Sequence, residues 1–359
     1  MSPSATKHRM EDLKKLLKKL IYDNKGSLPK EEFNFFQQSF KEFHRTPIFY
    51  GLPKIHKQPI MLRPAVSNSG SFLAIFSAWL DYKMKDLLLF VKSYIKNSAS
   101  LIQDLKSIQI PQGTLLFTAD ATSMYTNIDT TTGISAIRNF IEANLHSLPQ
   151  NFPTDLFLDI LTIVMENNIF TFAGTCWLQL AGTVMGTPVA CSYATVSFGN
   201  HENAAILPSF EPHLVYYKRY IDDVFGIWAN TNRNSSQAWT EFTNTLNNWG
   251  SLKWKIQELS EETIFLDLTI KIQGSSIITS TYQNPMNLYL YIPPLLAHPP
   301  SCFKGLIAGE LQRYWIQNSP NNFKHIVAKF ITCLIERGHS LDKLTPIFKQ
   351  AAAHLYNHP

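Results

Sequence analysis

The stretch Tyr220-Ile221-Asp222-Asp223 places two adjacent carboxylates between two apolar runs, Val215-Tyr216-Tyr217 before them and Val224-Phe225-Gly226-Ile227-Trp228 after them. This pattern predicts a β-hairpin with the two acids at its tip. Side chains alternate faces along a strand, so adjacent acids cannot both face a core. Carboxylates this close repel each other and favour a cation, which makes the pair a candidate site for a hard divalent metal. A solvated turn is the alternative that the pair alone leaves open.

Two further segments add a third acid and a glycine-rich turn. Leu115-Leu116-Phe117-Thr118-Ala119-Asp120 has the pattern of a buried strand that ends in a carboxylate. Gly182-Thr183-Val184-Met185-Gly186-Thr187-Pro188 is typical of a turn before a helix of small residues, 189–198. The chain thus has, in order, a strand that ends in Asp, a Gly-rich turn with its helix, and a hairpin with Asp-Asp. This is the order of motifs A, B and C in the palm of right-hand polymerases. This order makes a solvated turn the weaker interpretation.

Composition is consistent with a folded enzyme of more than one subdomain. The chain has 359 residues, of which 45% are hydrophobic and only 16% charged, which excludes a disordered tail. The net charge of +5 permits nucleic-acid binding without demonstrating it. The four cysteines show no metal-ligand spacing, which indicates reduced thiols and an intracellular protein. No apolar run is long enough to span a bilayer, so we predict no membrane partner.

The three acids suit nucleotidyl transfer. That reaction holds an attacking 3′-hydroxyl, a phosphorus centre and a leaving pyrophosphate in line, and two Mg²⁺ ions stabilise the entering and leaving oxygens. Asp120 and Asp222 are predicted to bridge the metals, and Asp223 to complete or orient the cluster. We therefore predict Asp120, Asp222 and Asp223 as catalytic, metal-binding residues, with two Mg²⁺ as cofactor and Mn²⁺ as an alternative.

Other residues are candidates for nucleotide and template contacts. The segment 49–67 reads as a basic β-hairpin, in which Lys54 and Arg63 are predicted to bind the triphosphate and Lys57 the template–primer; a solvated basic turn is the alternative. Tyr125, five residues after Asp120, is predicted to lie beneath the incoming sugar. A bulky ring there clashes with a 2′-hydroxyl, which favours dNTPs. A core tyrosine is the alternative.

The Gly-rich turn supplies the remaining candidates. Gly182 and Gly186 are predicted to let the backbone approach the nucleotide or template closely. Gln179 is a nucleotide-binding candidate, and Pro188 is grouped with Gly186 as a template–primer contact.

Several motifs resemble reverse transcriptases of Penelope-like elements, a family that groups near telomerase catalytic subunits. Tyr50-Gly51-Leu52-Pro53-Lys54-Ile55-His56-Lys57 resembles the family's fingers motif, and Arg63-Pro64-Ala65-Val66-Ser67 the motif that follows it. Ser123-Met124-Tyr125-Thr126-Asn127-Ile128 is similar to its variant of motif A, and Arg219-Tyr220-Ile221-Asp222-Asp223 to its motif C. The resemblance runs from about 45 to 345.

The resemblance implies an RNA-directed DNA polymerase with an RNA template, a DNA primer and dNTPs as partners, in an intracellular, nuclear location. It implies an α+β right-hand fold with fingers, a palm built on an antiparallel sheet and a helical thumb. The predicted divisions are an N-terminal helical extension (1–44), fingers (45–114), palm (115–285, with a helical insert at about 130–175) and thumb (286–359). Candidate thumb cations for contact with the hybrid backbone are Lys304, Arg313, Lys324, Lys329 and Arg337, and a plain surface charge is the alternative for each.

Local patterns predict individual elements. Helices are predicted at 10–22, within 72–106 (including Ser93-Tyr94-Ile95-Lys96), and at 133–145, 154–168 and 236–249. Strands are predicted at 254–256 and 265–272.

The chain departs from the family in two respects. Many members end in a GIY-YIG nuclease domain, and nothing after 345 is long enough for one, so we expect priming from an existing 3′ end or through a separate nuclease. Asn284 stands where the family commonly places a Lys that can donate a proton to pyrophosphate. Slower chemistry, substitution by a neighbour such as Lys271, or a degenerating copy are the interpretations left open.

The alternatives to an active enzyme are a catalytically impaired nucleic-acid-binding remnant and an RNA-dependent RNA polymerase. Asp267 is interpreted as structural or as a partner of the metal ligands rather than catalytic.

Overall fold

A computed structural model describes residues 2–41, 44–54, 59–229 and 235–357. Within them the strands are β1 Ile48–Lys54, β2 Met61–Ser67, β3 Thr114–Ala121, β4 Ile169–Phe172, β5 Thr175–Leu178, β6 Leu214–Tyr220, β7 Asp223–Ala229, β8 Trp254–Ile256, β9 Glu262–Phe265, β10 Leu268–Gln273 and β11 Ser276–Thr281. The α-helices are α1 Pro3–Asp23, α2 Lys30–Ser39, α3 Phe72–Leu88, α4 Ser98–Ser107, α5 Met124–Asn127, α6 Thr130–Asn144, α7 Thr154–Glu166, α8 Ala190–His201, α9 Leu207–Phe210, α10 Ser235–Leu246, α11 Pro300–Gln317, α12 Pro320–Glu336 and α13 Leu341–Asn357.

The central sheet has the strand order β6-β7-β3-β8. Its two faces are both covered, which explains why β3 reads as a nearly continuous apolar run. Phe117 and Ala119 face a core shared with helices α3, α6, α7 and α8, whereas Leu116 faces a second core with Phe225 and Phe265. The layered arrangement of one sheet between helices and a small second sheet makes the end of β3 a rigid support.

A second sheet, in the order β2-β1-β4-β5, is built on the basic hairpin. β1 and β2 pair antiparallel from Ile48↔Ser67 to Lys54↔Met61, as the hairpin prediction required. β4 and β5 join it through one parallel register position, Ile48↔Thr171. β4 lies within the range predicted as a helical insert, about 130–175, and β5 begins at its end, so the last part of that insert is a β-hairpin rather than a helix.

The C-terminal helices α11, α12 and α13 pack around a core of their own. Buried members include Ile307, Leu311, Tyr314, Phe330 and Leu334. Because these side chains recur at helical spacing, each helix presents one apolar stripe to the other two. This helical unit is the predicted thumb.

The third sheet, in the order β11-β10-β9, connects the palm to the thumb. The Gln317 amide donates to Asp267 Oδ2 at 2.6 Å, and the Thr281 hydroxyl donates to Gln317 Oε1 at 2.8 Å. α11 is therefore tied to this sheet by side-chain hydrogen bonds.

Three local predictions need correction. Ser93-Tyr94-Ile95-Lys96 is not helical: the Arg219 N–H donates to the Ser93 carbonyl at 2.7 Å, so the segment pairs with β6 as a short bridge. The strand predicted at 265–272 is interrupted at Leu266, whose φ of +53° turns the chain between β9 and β10. The helix predicted at 10–22 begins earlier, because Ser2 caps α1 and Pro3 suits its first turn.

No helix within the described residues combines the length and the apolar character that crossing a membrane requires.

Candidate active site

The three predicted acids meet at one end of the central sheet. Asp120 lies directly opposite Asp223 in the antiparallel register of β3 and β7. Ile221 and Asp222 form the two-residue turn between β6 and β7, since Tyr220 pairs with Asp223. The Ala121 N–H donates to the Asp222 carbonyl at 2.8 Å, which ties the turn to the strand that carries Asp120.

The carboxylates influence each other electrostatically. Burial raises the pKa of Asp223 to about 6, and the charges of Asp222 and Asp120 add to the rise. Burial also raises the pKa of Asp222; Asp120 acts in the same direction, while Arg63 and Arg219 partly offset it. An acid whose charged form is disfavoured by neighbouring acids gains from a cation.

The donor set fits a hard divalent cation, because each of the three groups offers carboxylate oxygens. As they stand, however, no three His, Cys, Asp or Glu side chains among the described residues are gathered closely enough to hold a metal ion. The side chains of Asp120, Asp222 and Asp223 would therefore have to converge on a bound ion, from backbone positions that are already adjacent.

The hairpin cations share one face of their sheet. Leu52 pairs with Arg63 and Lys54 pairs with Met61, so Lys54 and Arg63 are diagonal neighbours on the same face. Arg63 is exposed, and its charge lowers the pKa of Asp222, which places its guanidinium on the side of the acids. Lys57, the predicted template–primer contact, lies outside the described residues.

Tyr125 is held at the site by the Gly-rich segment. The Thr183 N–H donates to the Tyr125 carbonyl at 2.6 Å, and the Tyr125 hydroxyl lies 3.2 Å from Cys191 Sγ on α8. Burial, followed by the bond to Cys191, raises the pKa of Tyr125, and Asp222 contributes through its charge. The ring is half-buried: it packs against the main core and keeps part of its surface exposed, and its role beneath the sugar stays a prediction.

The two glycines of the turn make close backbone approaches within the protein. At Gly186, whose φ is +112°, an added Cβ would lie 2.2 Å from the Val66 carbonyl oxygen of β2. At Gly182, with φ of +74°, it would lie 2.6 Å from the Tyr125 carbonyl oxygen. The turn is thus wedged between the fingers hairpin and the segment that carries Tyr125. Its contact with a nucleotide or template stays a prediction.

Gln179 and Pro188 flank this turn. The Gln179 amide donates to the Ala181 carbonyl at 2.8 Å, so its side chain shapes the turn, and its role with a nucleotide stays a prediction. Pro188 is exposed.

In the thumb, two of the five predicted cations have partners within the protein. Arg313 lies 3.4 Å from Asp267 and 2.6 Å from Glu310, and Arg337 donates to the Tyr291 carbonyl at 2.9 Å. The exposed cations of the set are Lys304, Lys324 and Lys329. The partners of Asp267 agree with its interpretation as a structural residue.

Asn284 lies in the loop that follows β11. Its Oδ1 accepts from the Met286 N–H at 2.9 Å, and it borders a cavity of about 490 Å³ that Asp267, Tyr289 and Arg313 also line. Asn284 therefore faces the junction of the third sheet and the C-terminal helices.

Two residues of the site escaped the sequence analysis. Cys191 follows the Gly-rich turn by only three residues, but nothing in a lone cysteine predicts a partner. Glu202, which bonds to Arg219 beneath the acidic turn, is the first residue of a π-helical turn, Glu202–Ile206, after α8. The available signal for Glu202 was an acid next to an apolar segment. Its partner, Arg219, lies too far along the chain for the pairing to be predicted from the sequence.

The architecture is similar to that of solved polymerases. Telomerase from Candida albicans, in complex with a fragment of telomeric RNA, has a TM-score of 0.58 at 10% identity, over 91% of this chain and 61% of that one. Apo telomerase from Candida tropicalis has a TM-score of 0.52 at 9% identity, over 87% and 59%. The RNA-dependent RNA polymerase of a human picobirnavirus has a TM-score of 0.51 at 10% identity, over 87% and 62%.

These similarities define the class of fold: the chain has the right-hand polymerase fold that telomerase and viral RNA-dependent RNA polymerases share, which confirms the predicted α+β architecture. The chain spans about 54 to 61% of the length of the telomerase chains it matches. No protein-family model matches the sequence, and no curated protein does.

Proposed function

We propose that this chain is an RNA-directed DNA polymerase that adds dNTPs to the 3′ end of a DNA primer on an RNA template. The observation that carries the proposal is the register of Asp120 opposite Asp223, with Asp222 on the adjoining turn, in the palm sheet of a right-hand polymerase fold. Two-metal nucleotidyl transfer requires several carboxylates on a rigid support. Here three acids come from two separate parts of the chain, and the sheet that carries them is buried on both faces.

Asp120, Asp222 and Asp223 would hold two Mg²⁺ ions, with Mn²⁺ as an alternative. When bound, the ions stabilise the developing charge on the attacking and leaving oxygens. The protein's own part is to hold three carboxylates at the end of one sheet. Burial first, and then the charges of Asp222 and Asp120, raise the pKa of Asp223, and a bound cation would offset both effects.

Fingers and motif A residues would select the nucleotide. Arg63 and Lys54 share a face of the fingers sheet, and the Arg63 guanidinium can donate two parallel bonds to phosphate oxygens. Tyr125, anchored by Thr183 and Cys191, would occupy the space beside the 2′ position of the sugar and disfavour a ribonucleotide. This steric argument favours DNA over RNA as the product.

The choice of RNA as template is supported by the motif resemblance to Penelope-like reverse transcriptases, and by the telomerase neighbour whose structure includes RNA. We propose that the chain derives from such a retroelement or from a domesticated copy. A primer supplied by an existing DNA 3′ end, or by a separate nuclease, completes this scheme. Lys304, Lys324 and Lys329 would contact the hybrid backbone, so binding should weaken as salt rises.

Primer extension tests the proposal. The reaction holds an RNA template, a DNA primer, Mg²⁺ and dNTPs, and compares the wild type with Asp222→Ala/Asp223→Ala. The matched control is Glu261→Ala/Glu262→Ala, which removes two adjacent exposed carboxylates elsewhere. Extension by the wild type and the control, but not by the first variant, is the expected result.

A parallel reaction with NTPs separates DNA from RNA synthesis. Preferential NTP use would favour an RNA-dependent RNA polymerase, the activity named for the picobirnavirus neighbour. Extension that survives in Asp222→Ala/Asp223→Ala would contradict the assigned acids.

Asn284 favours a second candidate, a nucleic-acid-binding protein whose catalysis is impaired. If the wild type binds the hybrid but does not extend the primer, Asn284→Lys is the decisive variant, with Asn284→Met as its control for the loss of the bond to Met286. Extension restored by Asn284→Lys alone would identify the missing proton donor. Equal rates in the wild type and Asn284→Lys would remove this explanation.

A further inference from the structure

A fully buried ion pair lies directly beneath the acidic turn. Arg219 on β6 and Glu202 on the π-helical turn after α8 both have no exposed side-chain surface. The pair is bidentate: Arg219 Nε donates to Glu202 Oε1 at 2.8 Å, and Nη2 donates to Oε2 at 2.7 Å. Burying two charges is costly and is repaid only when geometry and additional hydrogen bonds are good.

Additional bonds complete the network. The Tyr217 hydroxyl donates to Glu202 Oε1 at 2.9 Å, and the Ser93 hydroxyl donates to Oε2. Arg219 Nη2 also donates to the Thr195 carbonyl of α8 at 2.8 Å. With β6, α8, the π-helical turn and the Ser93 segment all contributing, the guanidinium has very little freedom to move.

The remaining nitrogen of Arg219 reaches the turn itself. Nη1 donates to the Ile221 carbonyl at 2.8 Å, and that carbonyl belongs to the peptide that links Ile221 to Asp222. Ile221 has a φ of +54°. For a β-branched residue this left-handed conformation is strained and persists only where the surroundings enforce it.

We propose that Glu202 and Arg219 are positioning residues for nucleotidyl transfer: the buried pair clamps the Ile221 carbonyl and so holds the Asp222 carboxylate where it can share metal ions with Asp120 and Asp223. The inference rests on the proposed function. Stability alone is a poor account of the pair, because replacing a buried ion pair by apolar groups is often neutral or stabilising. The π-helical turn fits the same account, since π-bulges are frequent at functional sites.

The chain offers a control in a second ion pair, which is largely but not fully buried. Lys83 on α3 lies 2.7 Å from Glu32 on α2, and the Trp79 indole donates to the same carboxylate. This pair joins two helices and makes no bond to the acidic turn. The test variant is Glu202→Gln/Arg219→Met and the control is Glu32→Gln/Lys83→Met. Each double variant keeps one hydrogen-bond acceptor, the side-chain carbonyl of Gln, and loses both charges of its ion pair.

Three experiments compare the wild type with both variants. The first measures the thermal midpoint, and the second measures the affinity for Mn²⁺ by paramagnetic resonance. The third measures kcat and KM for dNTPs in primer extension. In Glu202→Gln/Arg219→Met we expect kcat to fall by about 10²-fold with KM nearly unchanged, as a misplacement on the order of 1 Å can do. The Mn²⁺ dissociation constant should rise by about tenfold, as for other partners of metal ligands. The control should keep wild-type kcat and Mn²⁺ affinity.

Arg219→Lys supplies a graded variant, because it keeps the positive charge but cannot bond Glu202, Thr195 and Ile221 together. Its kcat should lie between those of the wild type and Glu202→Gln/Arg219→Met. A wild-type kcat in Arg219→Lys would mean that catalysis depends on the positive charge and not on the hydrogen bond to the Ile221 carbonyl. That result would overturn the proposal.

The positioning role and the proposed function fail separately. If the wild type does not extend primers, the function is lost, and the Mn²⁺ affinities alone decide the positioning role. Equal Mn²⁺ affinity in Glu202→Gln/Arg219→Met and the control, or no Mn²⁺ binding by the wild type, overturns it. A folded variant with weaker Mn²⁺ binding supports it, whatever the extension assay gives.

Discussion

Asp120 on β3 and Asp223 on β7 lie directly opposite each other in an antiparallel pair, at the end of a sheet whose two faces are covered. This relationship brings like charges to the same end of the sheet. The raised pKa of Asp223 records the result, with burial as its first cause and Asp222 and Asp120 as contributors. The charged forms of Asp222 and Asp223, whose pKa values are raised, therefore reduce stability while they favour metal binding.

Asp223→Asn should stabilise the metal-free protein at pH 7. The pKa of Asp223 in the folded state, about 6, is above its ordinary value of 3.8, so the folded protein binds more protons between about pH 4 and pH 6. This carboxyl accordingly lowers stability as pH rises through that window. Thermal midpoints in chelator at pH 4, 6 and 8 provide the measurement. The difference between Asp223→Asn and the wild type should grow with pH, and a constant difference would contradict the assignment.

Tyr125→Ala should relax the discrimination against ribonucleotides. Removing the ring opens space beside the 2′ position, so we expect the kcat/KM ratio of dNTP to NTP to fall by about tenfold or more, which corresponds to ~1.4 kcal/mol. Cys191→Ala is the control, because it removes the partner of the hydroxyl but leaves the ring and the Thr183 bond to the Tyr125 carbonyl. A ratio in Tyr125→Ala equal to that of the wild type would assign the tyrosine to packing.

Arg63→Met should raise KM for dNTPs by about tenfold or more, since a hydrogen bond to a charged group contributes ~1.5–3 kcal/mol. It should also shift the acidic limb of the pH–rate profile upward, because the Arg63 charge lowers the pKa of Asp222 in the wild type. Lys106→Met, which removes an exposed cation at the end of α4, is the control. An unchanged KM with an unchanged pH profile would place Arg63 outside the nucleotide site.

Gly186→Ala should destabilise the protein more than Gly174→Ala. Both glycines have positive φ, which costs an alanine about 1–2 kcal/mol. Only at Gly186 does the added Cβ meet backbone, at 2.2 Å from the Val66 oxygen, whereas nothing lies within 4 Å at Gly174. The overpacking adds about 1–3 kcal/mol. Urea midpoints measure the difference, and equal losses of stability would mean that β2 and the turn can separate without cost.

Much of the fold could be predicted from local patterns. The alternating or continuous apolar runs of β1, β2, β3 and β7, and the amphipathic helices of the thumb, follow from periodicities of about 2 and 3.6 residues that any chain must obey. The strands β4 and β5 do not follow from local patterns, because each has only four residues and the pairing of β4 with β1 is non-local. The segment 93–96 was misassigned to a helix, because its backbone partners lie on β6, more than a hundred residues away.

The sequence by itself determined which residues are candidates for the chemistry: three acids, two cations of the β1–β2 hairpin and one aromatic residue, in an order typical of the polymerase palm. Only the tertiary structure decided which groups hold these candidate residues in place. Arg219 bonds to Glu202, and Tyr125 contacts Cys191, across long stretches of the chain. The bond from Arg219 to the nearby Ile221 carbonyl depends on the direction of the backbone in the turn. Local propensity acts over a few residues, whereas a buried charge or a strained turn persists only where distant elements enclose it.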